Sequence, residues 1–455
     1  MTASSLNSRE KRAAVSLASV FAFRMLGLFM LMPVLAIYGQ ELSGFSPIWI
    51  GFAIGAYGLT QAVLQIPMGW LSDKIGRKKV IVGGLTVFAI GSMIAATADS
   101  MQMVTLGRAL QGMGAIASSL LAFASDLSRD EQRPKVMAVI GMSIGMSFAI
   151  AMLLGPMVAA AWGLAGVFWL TAILAVVGIF IVSFLVPKAV SKAPKGDTLA
   201  SVSDIKKLIK HPQLARLDLG VMLLHLTLTT IFVALPGQLI AKGLAAQAHW
   251  QVYIPVLLLA FLLMAPVMII AIRKEKEKLA FVGSIAVLAL SMLAMAIGVD
   301  SIIGMAMCML AYFVAFNFLE ATMPALVSRL APASQKGSAM GVFSSGQFFG
   351  AFLGGILGGY VAQSTTPQAV FAAAAVVGVI WLILAWNMQV PPRSKMISLM
   401  TELSNEQQAQ TLASRLVALP GVIEATVVCD ENRSYLKIDD KEFDLDQARK
   451  VAGLI

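Results

Sequence analysis

Residues 69–79 form a short charged connection between two long apolar stretches. Their sequence is Gly69-Trp-Leu-Ser-Asp73-Lys-Ile-Gly76-Arg77-Lys78-Lys79. The flanking stretches, 46–70 and 79–98, are each long enough to cross a bilayer, which takes about 20 mostly apolar residues. Glycines and several cations in such a short connection predict a tight turn at the membrane surface. On the simplest interpretation its positive charges only orient the chain.

The rest of the chain repeats this alternation of apolar stretches and short polar connections. Of the 455 residues, 58% are hydrophobic and 13% are charged, about half the charged share of an ordinary soluble domain. This composition excludes a soluble globular protein and a disordered one. It predicts twelve membrane-spanning helices, at 14–38, 46–70, 79–98, 102–124, 136–160, 164–186, 216–240, 248–271, 280–298, 301–324, 339–363 and 367–388.

The basic residues fall almost entirely on one side of these helices. If the N-terminus is in the cytoplasm, the cytoplasmic segments carry 31 of the 34 Lys and Arg residues, and the opposite side carries only Lys242. This asymmetry predicts that both termini are cytoplasmic. Because orientation then explains most of the net charge of +10, no nucleic-acid partner is expected.

The longest internal connection, 187–215, divides the membrane part into two six-helix halves, 1–186 and 216–388. Within it, residues 203–210 are predicted to form a short amphipathic helix that ends at Pro212. Two halves with six helices each predict two structural repeats around a site near the bilayer midplane.

Residues 395–455 have a different composition, with 7 basic and 10 acidic residues. The hydrophobic pattern predicts a strand at 397–403, a helix at 405–419, strands at 421–429 and 434–438, and a helix at 444–453. This β-α-β-β-α order is most of a ferredoxin-like α+β domain, whose closing strand would lie beyond Ile455 or be absent. The domain has no Cys-x-x-Cys, and its lone Cys429 does not make a metal site. No metal is therefore expected.

The charged connection and three other motifs together resemble the major facilitator superfamily of membrane transporters. Gly69, Asp73, Gly76, Arg77 and Lys78 match the family's loop pattern G-x-L-x-D-x-x-G-R-[KR] at every defined position. The fourth predicted helix contains Arg108-Ala-Leu-Gln-Gly, which is similar to the family's second motif. Gly155-Pro156 resembles its antiporter motif, although alanines occupy other glycine positions of that motif. The C-terminal domain is similar to that of a bacterial subgroup of drug/proton antiporters.

The resemblance implies a fold and a mechanical role for the loop. The implied fold is an all-α membrane bundle of twelve helices in two pseudo-symmetric halves. The loop is expected to form a cytoplasmic gate, in which Asp73 lies at the N-terminus of the eleventh helix, around 337–341, where the helix dipole favours an anion. Arg77 is expected to pair with Asp126. The corresponding loop of the second half, 273–278, lacks glycine and aspartate, so such a latch is predicted on one half only.

Ionisable residues well inside the helices are rare and costly, at least about 2.5–3.5 kcal/mol each. They are Arg24, Arg108, His225 and Glu320, one each in helices 1, 4, 7 and 10. The resemblance implies that these four helices line a central cavity. Glu320 and His225 are the candidate proton carriers, and Arg24 is the candidate counter-charge for either of them or for an anionic substrate. The resemblance associates the second motif, and with it Arg108, with proton coupling. Alternatively, Glu320 forms a permanent ion pair with Arg24 or Arg329.

Other polar and small residues in the helices have two possible roles. Hydrogen bonding to substrate or simple helix packing could explain Tyr38, Tyr57, Gln61, Gln65, Gln238 and Asn317. Four glycines at spacing four, 346, 350, 354 and 358, predict close packing of another helix.

The sequence therefore predicts a transporter of the bacterial inner membrane and not an enzyme. The predicted activity is proton-coupled efflux of a small, hydrophobic compound by alternating access. The energy source is the proton gradient, and no cofactor is expected. The expected partners are the lipid bilayer, the small-molecule substrate and protons, while the C-terminal domain contacts the transporter body or a cytoplasmic protein. The alternatives are a symporter or facilitator for a nutrient, and a membrane sensor that signals through the C-terminal domain.

Overall fold

The computed structural model describes residues 6–129, 132–187, 207–332, 335–389, 395–401, 406–428, 433–439 and 442–454. Its helices are α1 Ser8–Phe29, α2 Leu35–Tyr38, α3 Pro47–Ile75, α4 Arg77–Ala96, α5 Met101–Met113, α6 Ala117–Asp126, α7 Arg133–Phe180, α8 Pro212–Ala241, α9 Trp250–Arg273, α10 Glu277–Ile297, α11 Ile302–Leu330, α12 Lys336–Ser364, α13 Pro367–Ala385, α14 Glu406–Val417 and α15 Leu445–Val451. Its strands are β1 Lys395–Met400, β2 Val422–Val428 and β3 Arg433–Ile438.

Ten helices of the described residues are long and apolar enough to cross a membrane. The difference from the twelve predicted spans has two causes. The fourth predicted span is divided into α5 and α6, each too short by itself. The fifth and sixth predicted spans are joined without a loop in α7, which has 48 residues. The membrane part therefore has the twelve-helix fold expected from the sequence.

The long helix α7 is two antiparallel spans. Trp162 and Gly163 have non-helical backbone angles, and Gly163 has a φ of +63° that glycine adopts without steric cost. Both ends of the helical pair lie beside the start of α1. Arg12 donates a hydrogen bond to the carbonyl of Leu185 (2.8 Å), and Glu10 pairs with Arg129 just before α7 (2.8 Å). The chain therefore reverses at Gly163.

Two predicted spans are interrupted, which corrects the prediction of continuous helices. The span at 14–38 is a helix to Phe29, then a turn around Pro33 and the short α2. Proline weakens a helix because it lacks the N–H and its ring crowds the preceding turn, and around Pro33 the helix is interrupted. The span at 102–124 breaks at Gly114, where a side chain would collide with the carbonyl oxygen of Gly84 on α4.

The four glycines of α12 make close contact with α8, as the sequence predicts. Side chains at Gly350 and Gly354 would overlap the carbonyl oxygens of Met222 and Leu226. The contacted positions on α8, including those at Asp218 and Thr230, also recur every four residues. This spacing is that of one helix face packed along another.

A second face of α12 joins the two halves. Side chains at Gly51 and Gly58 of α3 would overlap the carbonyl oxygens of Gly355 and Phe348. These contacts lie in the N-terminal part of α3, away from its end near Arg77. We call the end with Arg77, Arg129 and Arg329 the basic end, and the other the opposite end. The halves thus touch backbone to backbone toward the opposite end.

The C-terminal domain is a three-stranded antiparallel sheet with two helices. The strand order is β1-β3-β2, so β1 and β2 are parallel and β3 lies between them. Leu416, Leu436 and Ala448 form its own small core. This split β-α-β arrangement is the ferredoxin-like pattern without a fourth strand among the described residues.

Part of the inter-half connection lies outside the described residues. Of the predicted amphipathic helix at 203–210, only residues 207–210 are described, and they are helical.

Candidate functional site

Arg77 is the centre of a buried ion-pair cluster at the basic end. Its guanidinium lies 2.5 Å from Asp73 and 3.1 Å from Asp126, and it donates to the hydroxyl of Ser72 (2.7 Å). The side chains of Arg77 and Asp126 are 12% and 4% exposed, so solvent screens their attraction little. The expected contact of Arg77 with Asp126 is present.

The described partners of Arg77 all belong to the first half. Ser72 and Asp73 end α3, and Asp126 ends α6. These contacts stabilise that half and do not by themselves join it to the second. That Asp73 meets the N-terminus of α12 stays a prediction, as does the gating role of Gly69, Gly76 and Lys78. Lys78 donates to the carbonyl of Val186 (2.7 Å) at the end of a helix, where a cation is favoured.

The second half carries an ion pair in the corresponding place. Arg329 at the end of α11 lies 2.9 Å from Glu277 at the start of α10, and both side chains are 17% exposed. The sequence did not predict this ion pair. That a latch of the loop type belongs to one half only stays a prediction. The signs are exchanged. In the first half the base begins α4 (Arg77) and the acid ends α6 (Asp126). In the second half the acid begins α10 (Glu277) and the base ends α11 (Arg329). Because of this exchange, the loop motif does not match the second half.

Arg24 is fully buried in α1 without a carboxylate partner among the described residues. Its Nη2 donates to Gln61, and Gln61 donates to Gln65 (2.6 Å). Its Nε and Nη1 have no hydrogen-bond partner, and its guanidinium lies 5.8 Å from the centre of the Tyr57 ring. Arg24 is 1% exposed. It is therefore closed to solvent in this conformation.

Arg108 packs the first half together. It donates to the backbone carbonyl of Ala53 (3.1 Å) and to Gln111 (2.7 Å). Gln111 in turn donates to Ser92 on α4 (2.7 Å). The guanidinium of Arg108 also lies 4.8 Å from the centre of the Tyr57 ring, a cation–π distance. These contacts join α3, α4 and α5 and favour a structural role for Arg108.

Three helices of the second half bring His225, Gln347 and Glu320 together. The side-chain nitrogen of Gln347 lies 2.8 Å from Nε2 of His225 and 3.2 Å from Glu320. Nε2 of His225 is 3.8 Å from the second oxygen of Glu320. Nδ1 of His225 lies 3.1 Å from the carbonyl oxygen of Val221, which only an N–H can satisfy.

This hydrogen-bond pattern fits a His225 that carries its proton on Nδ1. With the proton on Nδ1, Nε2 accepts from one N–H of the Gln347 amide, while the other N–H donates to Glu320. A proton added to Nε2 would face the donor group of Gln347, and the amide would have to turn over. The cluster can therefore adopt two hydrogen-bond arrangements that differ by one proton.

Glu320 does not form the fixed ion pair considered from the sequence. Arg329 pairs with Glu277, and Arg24 donates to Gln61. The Glu320 side chain is 36% exposed, in contrast to the closed Arg24. The four embedded charges thus form two separate polar groups, one in each half.

The remaining predicted cavity residues are less informative. The hydroxyl groups of Tyr38 and Tyr57 and the amide nitrogen of Asn317 are buried without a hydrogen-bond partner. Gln238 is half-buried near the C-terminal end of α8. Gly155, before Pro156, lies against the backbone of Met30, where a side chain would come within 2.6 Å of a carbonyl oxygen. Among the described residues no group of metal-binding side chains occurs.

Sequence reasoning missed three residues of these clusters. Gln347 lies in the middle of a glycine-rich helix, and Ser72 is an ordinary residue of the charged loop. Glu10 is 2% exposed and pairs with Arg129 (2.8 Å). The available signal for Gln347 was its polarity: it is a polar residue within a membrane-spanning helix, on the face toward the predicted cavity. Nothing in the sequence connects Glu10 with Arg129, 119 positions away.

Comparison with known proteins agrees with this architecture. The chain is 43% identical over 447 residues to the inner membrane transport protein YajR of Escherichia coli (strain K12), covering 97% of the chain and 98% of that protein. It is 36% identical over 354 residues to the uncharacterized transporter BU466 of Buchnera aphidicola, covering 77% and 90%. Both relatives are named as transporters or transport proteins. The chain is therefore a multi-pass transport protein of the inner membrane and not an enzyme.

Solved structures share the fold at low sequence identity. A bacterial homologue of the human lysosomal transporter Spinster, inward-facing and unoccupied, has a TM-score of 0.67 at 14% identity and covers 84% of this chain and 97% of its own. The nucleoside transporter NupG has a TM-score of 0.65 at 18% identity and covers 83% and 98%. The family model for the Major Facilitator Superfamily matches residues 17–323 and 217–423. With its two six-helix halves, its loop motif and these matches, the chain belongs to the Major Facilitator Superfamily.

Proposed function

We propose that this transporter couples the export of a small, hydrophobic compound to the inward movement of protons. The proton gradient supplies the energy, and the protein alternates between states open to either side of the membrane. Both termini lie in the cytoplasm, because the basic end carries nearly all the Lys and Arg residues and positive loops stay inside.

The arrangement of His225, Gln347 and Glu320 carries the proposal. A coupled exchanger needs a group that holds a proton in one state and releases it in the other. Glu320 is a half-exposed carboxyl group within the membrane part, with one oxygen buried and unpartnered among the described residues, and Gln347 links its other oxygen to a second proton-accepting group. Charges at this depth are costly unless they serve a pathway for ions or protons.

Substrate and proton would compete for the same cluster. A protonated cluster carries one more positive charge and needs a different orientation of the Gln347 amide. A ligand that displaces the proton would therefore change the packing of α12, which touches both α3 and α8. In this way a local change reaches the contact between the halves.

The motif loop is proposed to stabilise the state that is closed at the basic end. Arg77 holds Asp73 close to the end of α3, where its charge could meet the positive N-terminus of α12. The backbone contacts of α3 with α12 toward the opposite end support a conformation closed on that side.

The test uses Glu320→Gln, which keeps the shape and removes the titratable charge. A thermal-shift screen of the purified protein first identifies a compound that binds. We then expect that compound to release protons from proteoliposomes containing the parent protein and not from those containing the variant. Glu41→Gln, an exposed change at the opposite end, serves as the matched control. Undiminished proton release by Glu320→Gln would remove Glu320 from the mechanism.

One observation favours a second function, a proton symporter or a facilitator for a nutrient. Ala151, Ala159 and Ala160 occupy positions where the antiporter motif has glycine. The same proteoliposome measurement distinguishes the two: an antiporter releases protons when substrate is added outside, a symporter takes them up, and a facilitator does neither.

The C-terminal domain is proposed to regulate transport through contact with the transporter body or a cytoplasmic protein. Deletion of residues 395–455 should leave substrate flux intact and change only its regulation. If flux were absent in the full chain and the deletion abolished a downstream cellular response, the chain would instead be a sensor.

A further inference from the structure

A cavity of about 500 Å³ lies where α3 of the first half meets α8 and α12 of the second. Its walls are mostly apolar, with Ala62, Leu219, Met222 and Phe349 among the lining residues. His225, Glu320 and Gln347 do not line it.

Two polar side chains line this cavity without hydrogen-bond partners. Oδ1 of Asp218 and Oγ of Ser345 are both buried and unpartnered among the described residues. The two residues lie at the same height along the packed helices α8 and α12. A Cβ atom added at Gly346, the neighbour of Ser345, would come within 3.1 Å of the backbone carbonyl oxygen of Asp218. An unpartnered buried hydroxyl costs about 1–3 kcal/mol, and an unpartnered carboxylate more.

Within the ranges that the structure describes, no basic side chain lines the cavity to compensate Asp218. The basic residue nearest in sequence, Arg216, donates instead to the carbonyl of Asn387 (3.3 Å). The pocket therefore offers one negative charge and one hydroxyl acceptor against an apolar wall. A ligand that matches it has a cationic N–H donor group at one end and a hydrocarbon part at the other.

We propose that this cavity binds a primary alkylammonium group. The side chains of Asp218 and Ser345 turn toward the ammonium group and accept its hydrogen bonds, and the alkyl chain packs against Leu219, Met222 and Phe349. A primary ammonium has three donors and can satisfy both acceptors at once, whereas a quaternary ammonium supplies charge without donors. A bound molecule would touch both halves of the transporter and so stabilise the conformation in which they are this close.

Binding of octylamine to the purified full-length protein in a maltoside detergent tests the site. Isothermal titration should detect one molecule per chain, with at least tenfold weaker binding of octyltrimethylammonium and of octanol. Octyltrimethylammonium keeps the positive charge of octylamine but has no N–H donors. Octanol has no positive charge. Equal affinity for octanol would overturn the proposal, because the apolar wall alone would then explain binding.

Three variants assign the binding to this cavity. Asp218→Asn should weaken octylamine binding at least tenfold and Ser345→Ala severalfold. Ala215→Phe should also abolish it, since the ring fills the cavity and leaves the carboxylate in place; this variant decides the question if Asp218→Asn does not fold. Asp300→Asn, an exposed change outside the cavity, should bind like the parent. Unchanged affinity in Asp218→Asn or Ala215→Phe would overturn the assignment.

The same chemistry is available from a small amine or from a membrane lipid with an aminoethyl headgroup. Repeating the titration in nanodiscs with and without phosphatidylethanolamine distinguishes the sources. Weaker octylamine binding in the presence of this lipid identifies the lipid as the occupant, and equal binding identifies a small amine. Glu320→Gln should retain octylamine binding, so failure of the proposed proton coupling and failure of this site are separable.

Discussion

The side-chain nitrogen of Gln347 lies 2.8 Å from Nε2 of His225, although the two residues are 122 positions apart. The same nitrogen lies 3.2 Å from Glu320. Gln347 therefore connects α12, which packs against both halves, with the two proton-accepting groups on α8 and α11. Gln347 thereby joins α12, which contacts both halves, to the two groups that could bind a proton.

Replacing Gln347 with Leu should uncouple these groups. The variant keeps side-chain volume and loses a hydrogen bond to a charged group, which contributes about 1.5–3 kcal/mol. We expect proton-driven exchange in proteoliposomes to fall about tenfold or more, while binding of the same compound in a thermal-shift assay persists. Gln213→Leu, an analogous change near the basic end of α8, is the control. Exchange at the parental rate in Gln347→Leu would mean that the amide is only a packing group.

The ion pair of Arg77 and Asp126 should contribute more to stability than that of Arg329 and Glu277. Asp126 is only 4% exposed, against 17% for Glu277, so solvent screens its attraction to Arg77 less, although Asp73 remains a partner of Arg77 when Asp126 is removed. Asp126→Asn should lower the melting temperature more than Glu277→Gln does. Equal melting temperatures for the parent and Asp126→Asn would contradict this reasoning.

The glycine face of α12 should not tolerate even one methyl group. In Gly354→Ala the methyl would overlap the carbonyl oxygen of Leu226, and overpacking typically costs about 1–3 kcal/mol. Gly283→Ala on α10 is the matched control, because nothing lies within 4 Å of the added carbon. Alanine there should stabilise the helix by about 0.5–1 kcal/mol. Thermal unfolding followed by light scattering and tryptophan fluorescence checks both, and a neutral Gly354→Ala would show that α8 and α12 separate freely.

The C-terminal domain should become more stable in alkaline solution. Burial lowers the pKa of Lys437, and the Glu424 carboxylate partly offsets this effect. Since the unfolded lysine keeps its proton to higher pH, the unfolded state binds more protons between the two pKa values, and stability rises with pH in that interval. The pH dependence of this stability can be measured by hydrogen exchange of the β3 amides in the full chain, corrected for the intrinsic exchange rates. Lys437→Met should abolish the rise, and an identical pH profile in that variant would assign the effect to other groups.

The membrane part shows which features can be predicted from local sequence. The twelve spans, the reversal near Gly163 and the packing role of Gly350 and Gly354 all follow from hydropathy and spacing. The break at Pro33 was missed because hydropathy alone set the bounds of the span, although a proline often ends a helix. The break at Gly114 was missed because it depends on close packing against α4, which an apolar stretch does not reveal. The ion pair of Glu277 and Arg329 was missed because its charges are exchanged relative to the loop motif.

The sequence by itself determined the number and order of the helices, the division into two halves and the identity of the few embedded charges. It could do so because the transfer free energies of about 20 consecutive residues, and the cost of a charge in the bilayer, are properties of each segment alone. Only the tertiary structure decided that Gln347 connects His225 with Glu320, that Arg24 is closed to solvent and that Asp218 faces a cavity without a partner. Those relationships depend on how distant helices are packed and rotated against each other, which side-chain contacts across the whole bundle determine.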